Sequence, residues 1–110
     1  MSRSRDIGTA WETTLVRYFQ SEGFPDVERP ALSGRNDKGD LINIPGWTLE
    51  AKAEKRITLS DYMKELEREQ AVGATKYGCV IVKKRYANVS EAYTVMPLRS
   101  LVVIMKELRV

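Results

Sequence analysis

The chain has 110 residues, 43% of them hydrophobic, with 18 basic and 15 acidic side chains, one cysteine and no histidine. That is enough for one domain (1–110) with a single core, and it argues against wholesale disorder. Without histidine there is no His–Cys zinc site and no Ser–His or Cys–His nucleophile pair, and one cysteine allows no internal disulfide. Any catalysis must therefore run on carboxylates, lysine, arginine, hydroxyls and bound metal. No apolar run approaches the ~20 residues needed to cross a bilayer, and no apolar signal segment follows the charged start, so the expected compartment is the cytoplasm, with no membrane partner. The net charge of +3 permits nucleic-acid binding without requiring it.

Residues 9–22 read as a first helix, with Trp11, Leu15, Tyr18 and Phe19 at helical spacing and Gly23 as a stop. Asp26 to Leu32 is a strand candidate that Pro30 confines to an edge or a bulge. A polar loop runs from Ser33 to Gly39. Asp40 to Ile44 is the next strand, Pro45-Gly46 a tight turn, and Trp47 to Ala53 its antiparallel partner. Residues 59–73 form a second helix with Leu59, Tyr62, Met63, Leu66 and Gln70 on one face; Thr58 and Asp61 suit its N-terminus. Its acids Asp61, Glu65, Glu67 and Glu69 are expected on the outer face. Tyr77 to Lys83 is a central buried strand, within which Cys79 is an inert thiol. A basic loop follows to Ser90, then a strand from Ala92 to Met96. Pro97 opens a C-terminal helix with Leu98, Leu101, Val102, Met105 and Leu108 on one stripe. The order is αβββαββα, an α/β fold with a mixed sheet flanked by helices.

The segment Gly39-Asp40 to Glu50-Ala51-Lys52 carries the chemistry. Side chains alternate along a strand, so residues 50 and 52 share a face. A carboxylate at 40 on the paired strand completes a set able to hold a hard divalent cation, while Lys52 orients water or offsets developing charge. The alternative is a solvated strand face, since Thr48, Glu50, Lys52 and Glu54 alternate with Trp47, Leu49, Ala51 and Ala53. Asp37 is an alternative ligand to Asp40, less fixed in its loop. Glu12 shares a helix face with Leu15, Val16 and Phe19, where a carboxylate costs free energy unless it is paired, bonded or metal-bound. Alternatively, Thr9 and Glu12 form a capping box.

Gly39-Asp40 followed by Glu50-Ala51-Lys52 resembles the PD-(D/E)XK nuclease signature, with glycine where proline is usual. Arg29-Pro-Ala-Leu-Ser33-Gly34 looks like the arginine-x-x-x-serine-glycine segment of archaeal-type Holliday junction resolvases. Arg5-Asp-Ile-Gly-Thr-Ala-Trp-Glu12 resembles the first helix of small resolvase-like proteins of actinobacteria and their phages. The resemblance covers residues 5 to about 85. It implies a restriction-endonuclease-like fold and a homodimer, located in the bacterial host cell if phage-encoded. It further implies catalysis by Glu12, Asp40, Glu50 and Lys52, with Mg2+ held by Asp40, Glu50 and Glu12 and replaceable by Mn2+.

Arg29 and Ser33 flank that site and suit phosphate contact; alternatively Arg29 pairs with Glu28 or Asp26 and Ser33 is a turn residue. Lys83, Lys84 and Arg85, with Arg3, Arg5, Arg35, Lys38, Lys55 and Arg56, form a basic surface for branched or duplex DNA, or else a solvated charge run. The C-terminal helix either covers a symmetric partner or is simply packed on the body. The expected activity is a Mg2+-dependent DNA endonuclease, a junction resolvase acting in recombination and repair. The alternatives are another repair or restriction nuclease of this superfamily, or a non-catalytic DNA-binding module.

Overall fold

In the computed structural model the described residues are 3–31 and 38–109. Ser33, Arg35 and Asp37 therefore lie outside the described residues. Among the described residues, three α-helices and a three-stranded mixed sheet form an α/β arrangement.

Helix α1 (Arg3–Ser21) begins at Arg3, not at residue 9. Gly8 does not stop it, and Thr9 sits in its interior, where it cannot serve as an N-cap. The capping-box reading of Glu12 is thereby excluded. At the other end Gly23 (φ 101) takes the left-handed position. Phe24 N–H donates to Phe19 O at 3.0 Å and Gly23 N–H to Gln20 O at 3.3 Å, the paired bonds of a Schellman closure. The Phe24 ring then packs edge-on against Phe19, with centroids 6.0 Å apart.

Strand β1 (Trp47–Lys52) runs parallel to β2 (Tyr77–Val82), joined by helix α2 (Leu59–Gly73). Strand β3 (Tyr93–Val95) pairs antiparallel to β2, which is therefore central, as its apolar run predicts. The described residues of the segments expected as strands at 26–32 and 40–44 do not form strands. They contribute isolated antiparallel bridges, Glu28 to Ile42 and Leu41 to Leu49. The backbone explains the shortfall: Gly39 (φ 115) and Asn43 (φ 75) are both left-handed, so the chain turns away before a ladder can propagate. The hairpin from Asp40 to Lys52 survives as that single bridge.

The sheet separates two apolar layers. Trp11 and Leu15 of α1 pack with Val27, Leu41, Leu49, Cys79 and Ile81 on one side, and the Trp11 indole donates to Ile81 O. Tyr62 and Leu66 of α2 cover Val80 and Val82 on the other. Burial of each such large side chain contributes roughly 1.5–3 kcal/mol. Cys79 is the inert buried thiol expected, its pKa pushed up to about 11 by burial.

Helix α3 (Leu98–Leu108) packs in the opposite sense to the other two. None of its residues is buried, and Leu98, Leu101, Val102, Val103, Met105 and Leu108 are all exposed. Its polar residues tie it to the body instead, through Arg99 to Glu67 (2.6 Å) and Glu107 to Lys76 (3.0 Å) and to the Tyr77 hydroxyl. A terminal helix simply packed on its apolar stripe is ruled out. Among the described residues no helix is long and apolar enough to cross a membrane.

Candidate active site

Period-two alternation in β1 sends Leu49 and Ala51 toward α1, and Thr48, Glu50 and Lys52 toward α2. The second face is not solvated. Thr48 is 0% and Glu50 1% exposed, so the solvated-face reading of this strand is overturned. The Thr48 hydroxyl shares a 2.6 Å hydrogen bond with that of Thr75, just beyond α2.

Asp40 enters from the bridged segment. Its Oδ2 accepts from Ala51 N–H at 2.8 Å, and Asp40 N–H donates to Leu49 O at 2.8 Å, so its carboxylate is fixed against β1 beside Glu50. The preceding glycine is required there. A Cβ on Gly39 would stand 2.9 Å from Leu49 O and 3.2 Å from Leu49 N, and its φ of 115 lies far from the −65° to which proline is locked. A glycine rather than a proline at position 39 thus has a steric reason in this chain. Gly39→Ala is expected to lower stability by about 2 kcal/mol or more, measured by urea unfolding; an unchanged midpoint would contradict this backbone geometry.

Glu12 on α1 receives Arg29 Nε–H on its Oε1 at 2.9 Å. Arg29 therefore pairs with Glu12, not with Glu28 or Asp26. Both residues border a cleft of 400 Å³ that Asp40 and Arg5 also line. Glu12 and Asp40 are close enough for the Asp40 charge to act on Glu12.

Helix α2 supplies what the sequence reading placed on its outer face. Glu65 Oε1 accepts from Lys52 Nζ at 2.7 Å, and Glu69 is only 6% exposed. Residues 62, 66 and 69 follow i, i+4, i+7 spacing, so a helix that buries Tyr62 and Leu66 must carry Glu69 inward with them. That spacing was the available signal; the charge of residues 65 and 69 masked it. Carboxylate oxygens of Glu50, Glu65 and Glu69 come within 4.8 Å of one another. Of the outer-face acids, Glu67 does stay exposed, bound to Arg99. Gln70 Nε2 reaches the backbone oxygen of Thr75, satisfying a main-chain acceptor as its inner-face position suggests.

Electrostatics follow from this crowding. Burial raises the Glu50 pKa far above its usual 4.5, reinforced by its hydrogen bond with Glu69 and by the negative charges of Asp40, Glu69 and Glu65. Burial also raises Asp40, against the opposing pull of the Ala51 N–H and the Lys52 charge. Glu12 is raised by burial and by Asp40, partly offset by its bond from Arg29. For Lys52, burial alone would lower the pKa, but the Glu65 hydrogen bond and the charges of Glu65, Glu50 and Glu54 outweigh it and the net shift is upward. Glu50 Oε1 is buried with no hydrogen-bond partner among the described residues. Such a set favours either protons or a cation.

No family model, curated protein or solved structure matches this chain.

The basic residues fall into two groups. Lys52, Lys55, Arg3 and Arg85 line a second cleft, of 740 Å³, which meets the first at Gly8 of α1. Lys38, Arg56, Lys83 and Lys84 are exposed, with Lys83 over the Trp11 ring and Lys84 over Tyr93. Of the expected site, then, Asp40, Glu50 and Lys52 come together around β1. Glu12 joins from α1 with Arg29 attached, while Glu65 and Glu69 join from the helix that was expected to face away.

Proposed function

We propose that this chain is a Mg2+-dependent DNA endonuclease of restriction-endonuclease-like fold, acting as a homodimer on four-way junctions. One observation carries the reading: Asp40 is locked by the Ala51 amide beside a buried Glu50 whose Oε1 has no hydrogen-bond partner. The two antiparallel bridges, the parallel β1–β2 pair joined by α2, and antiparallel β3 agree with the mixed sheet that the sequence resemblance implies.

The donor set fits a hard cation, because it consists of carboxylate oxygens with raised pKa values and one unbonded buried oxygen. Asp40 and Glu50 would hold Mg2+, with Mn2+ as a substitute and Glu12 approaching across the first cleft. When bound, the ion supplies a more acidic water and neutralises charge on the phosphate. Lys52 exchanges its Glu65 partner for a phosphate oxygen and offsets the transition-state charge. Arg29 steadies Glu12 and faces the cleft through which the backbone would pass. Lys55, Arg3 and Arg85, lining the second cleft, contact phosphates without reading sequence, and Lys38, Arg56, Lys83 and Lys84 extend that surface.

The inverted packing of α3 supports the dimer. An apolar face at 98, 101/102, 105 and 108 repeats with the spacing of a helix–helix seam, and a two-fold axis would place one copy against another.

The test is a panel of synthetic branched and linear DNAs with Mg2+. The wild type is expected to make paired nicks in a four-way junction, abolished by EDTA and by Asp40→Asn. Leu101→Glu is expected to sediment as a monomer and to make unpaired nicks. Cutting linear and flapped DNA while sparing junctions would remove the resolvase assignment and leave a nuclease. No cleavage of any substrate with Mg2+ or Mn2+ would remove the nuclease.

A further inference from the structure

The cluster on the α2 side of Glu50 has a use that the nuclease reading leaves open. Glu50 and Glu69 are at least nine-tenths buried and Glu65 is half-buried, with one carboxylate oxygen from each within 4.8 Å of the others. Three acids gathered by chance on a surface would be solvated and would show nothing. Here Glu50, at 1% exposure, has an oxygen with no hydrogen-bond partner among the described residues. Lys52 binds Glu65 Oε1. A carboxylate has two oxygens, so Glu65 can keep Lys52 on one and offer the other.

We propose that Glu50, Glu65 and Glu69 form a seat for a hard divalent cation beneath α2, separate from Asp40 and sharing only Glu50 with it. The spacing suits this. At metal–oxygen distances of about 2.1 Å for Mg2+ and 2.4 Å for Ca2+, trans ligand oxygens lie about 4.2 and 4.8 Å apart. The three oxygens, all within 4.8 Å of one another, fall inside the span of one such coordination sphere and can converge on a single divalent cation. Bound there, the ion would clamp α2 to β1, because two of its ligands come from the helix and one from the strand. The site stands on its own geometry and does not require that the chain cleave DNA.

Calorimetric titration with Mn2+ alone, and loss of the free Mn2+ paramagnetic resonance signal, test it in the absence of DNA. The full chain should bind Mn2+, and the double variant Glu65→Gln/Glu69→Gln should bind it at least tenfold more weakly. Asp40→Asn should retain this binding event, and Glu22→Gln, on an exposed residue, should match wild type. Ca2+ should raise the melting temperature of wild type but not of the double variant, and a melt in EDTA checks that the variant is folded. Glu69→Gln alone provides a milder change should the double variant unfold. Equal Mn2+ titrations for wild type and either variant, or no Mn2+ uptake by wild type at millimolar concentration, would overturn the proposal. Should the wild type cut no DNA while the double variant still loses Mn2+, the nuclease reading fails and this site stands. The reverse pattern removes the site and keeps the nuclease.

Discussion

Lys52→Ala should slow Mg2+-dependent junction cleavage by about 10²–10³-fold, equivalent to roughly 3–4 kcal/mol of transition-state stabilisation, while leaving DNA affinity within a few-fold of wild type. The reason lies in where Lys52 stands. It is only one-fifth exposed, packed over Tyr62 and bound to Glu65, so it is poorly placed to grip a duplex from outside. Its charge acts locally, next to Asp40 and Glu50. The exposed cations should behave in the opposite way. Replacing Lys83, Lys84 and Arg85 together with alanine should weaken DNA binding and reduce the salt dependence of log K by about 2–3, with cleavage at saturating enzyme nearly unchanged. Binding by fluorescence anisotropy over a salt series, paired with single-turnover cleavage, separates the two effects. Were Lys52→Ala to lower affinity and leave the saturated rate untouched, Lys52 would be a binding residue and the proposed mechanism would fail.

A second large effect concerns stability and pH. The Glu50 pKa is raised in the folded chain above its ordinary 4.5, chiefly by burial. Between those two values the folded state holds a proton that the unfolded state releases. Stability from this group is therefore complete below about pH 4.5 and is lost as pH rises through neutrality toward the folded pKa. In EDTA, wild type should lose stability relative to Glu50→Gln with a slope approaching ~1.4 kcal/mol per pH unit. Glutamine keeps the shape and cannot ionise, so groups that do not interact with Glu50 cancel in the comparison, and the difference reports Glu50 together with Asp40, Glu65 and Glu69. Saturating Mn2+ should flatten the difference, because a cation bound only by the folded state offsets the buried charge. Urea unfolding of both proteins from pH 4 to pH 8 measures this. Parallel curves would mean that Glu50 ionises freely in the folded chain.

The two predictions depend unequally on what could be read along the chain. Apolar periodicity located three helices, the central strand and the buried thiol, because burial of Trp11, Leu15, Leu66 and Val80 is a local consequence of spacing. The order of Glu12, Asp40, Glu50 and Lys52 likewise singled out the neighbourhood of β1. Pattern was less reliable where backbone conformation ruled. The runs 26–32 and 40–44 have strand composition, yet left-handed Gly39 and Asn43 limit their described residues to isolated bridges.

Charge misled most, and for one physical reason. A hydropathy pattern assigns every carboxylate to water, whereas a carboxylate can be buried when other groups converge on it. For Glu50 the alternation left a solvated strand face open as the alternative to a ligand, and burial beneath α2 removes that alternative. Glu65 and Glu69 looked outward-facing, although helical geometry tied residue 69 to Tyr62 and Leu66. Arg29, expected at a phosphate or alternatively beside its sequence neighbours Glu28 and Asp26, pairs with Glu12 on α1. In each case the partner lies far along the chain and arrives only through packing. Residue identity and spacing thus established the three helices and the strands of the three-stranded sheet. Burial of Glu50 beneath α2, the inward turn of Glu65 and Glu69, and the exposed apolar face of α3 arose from how the elements pack, since solvation is a property of the assembled fold.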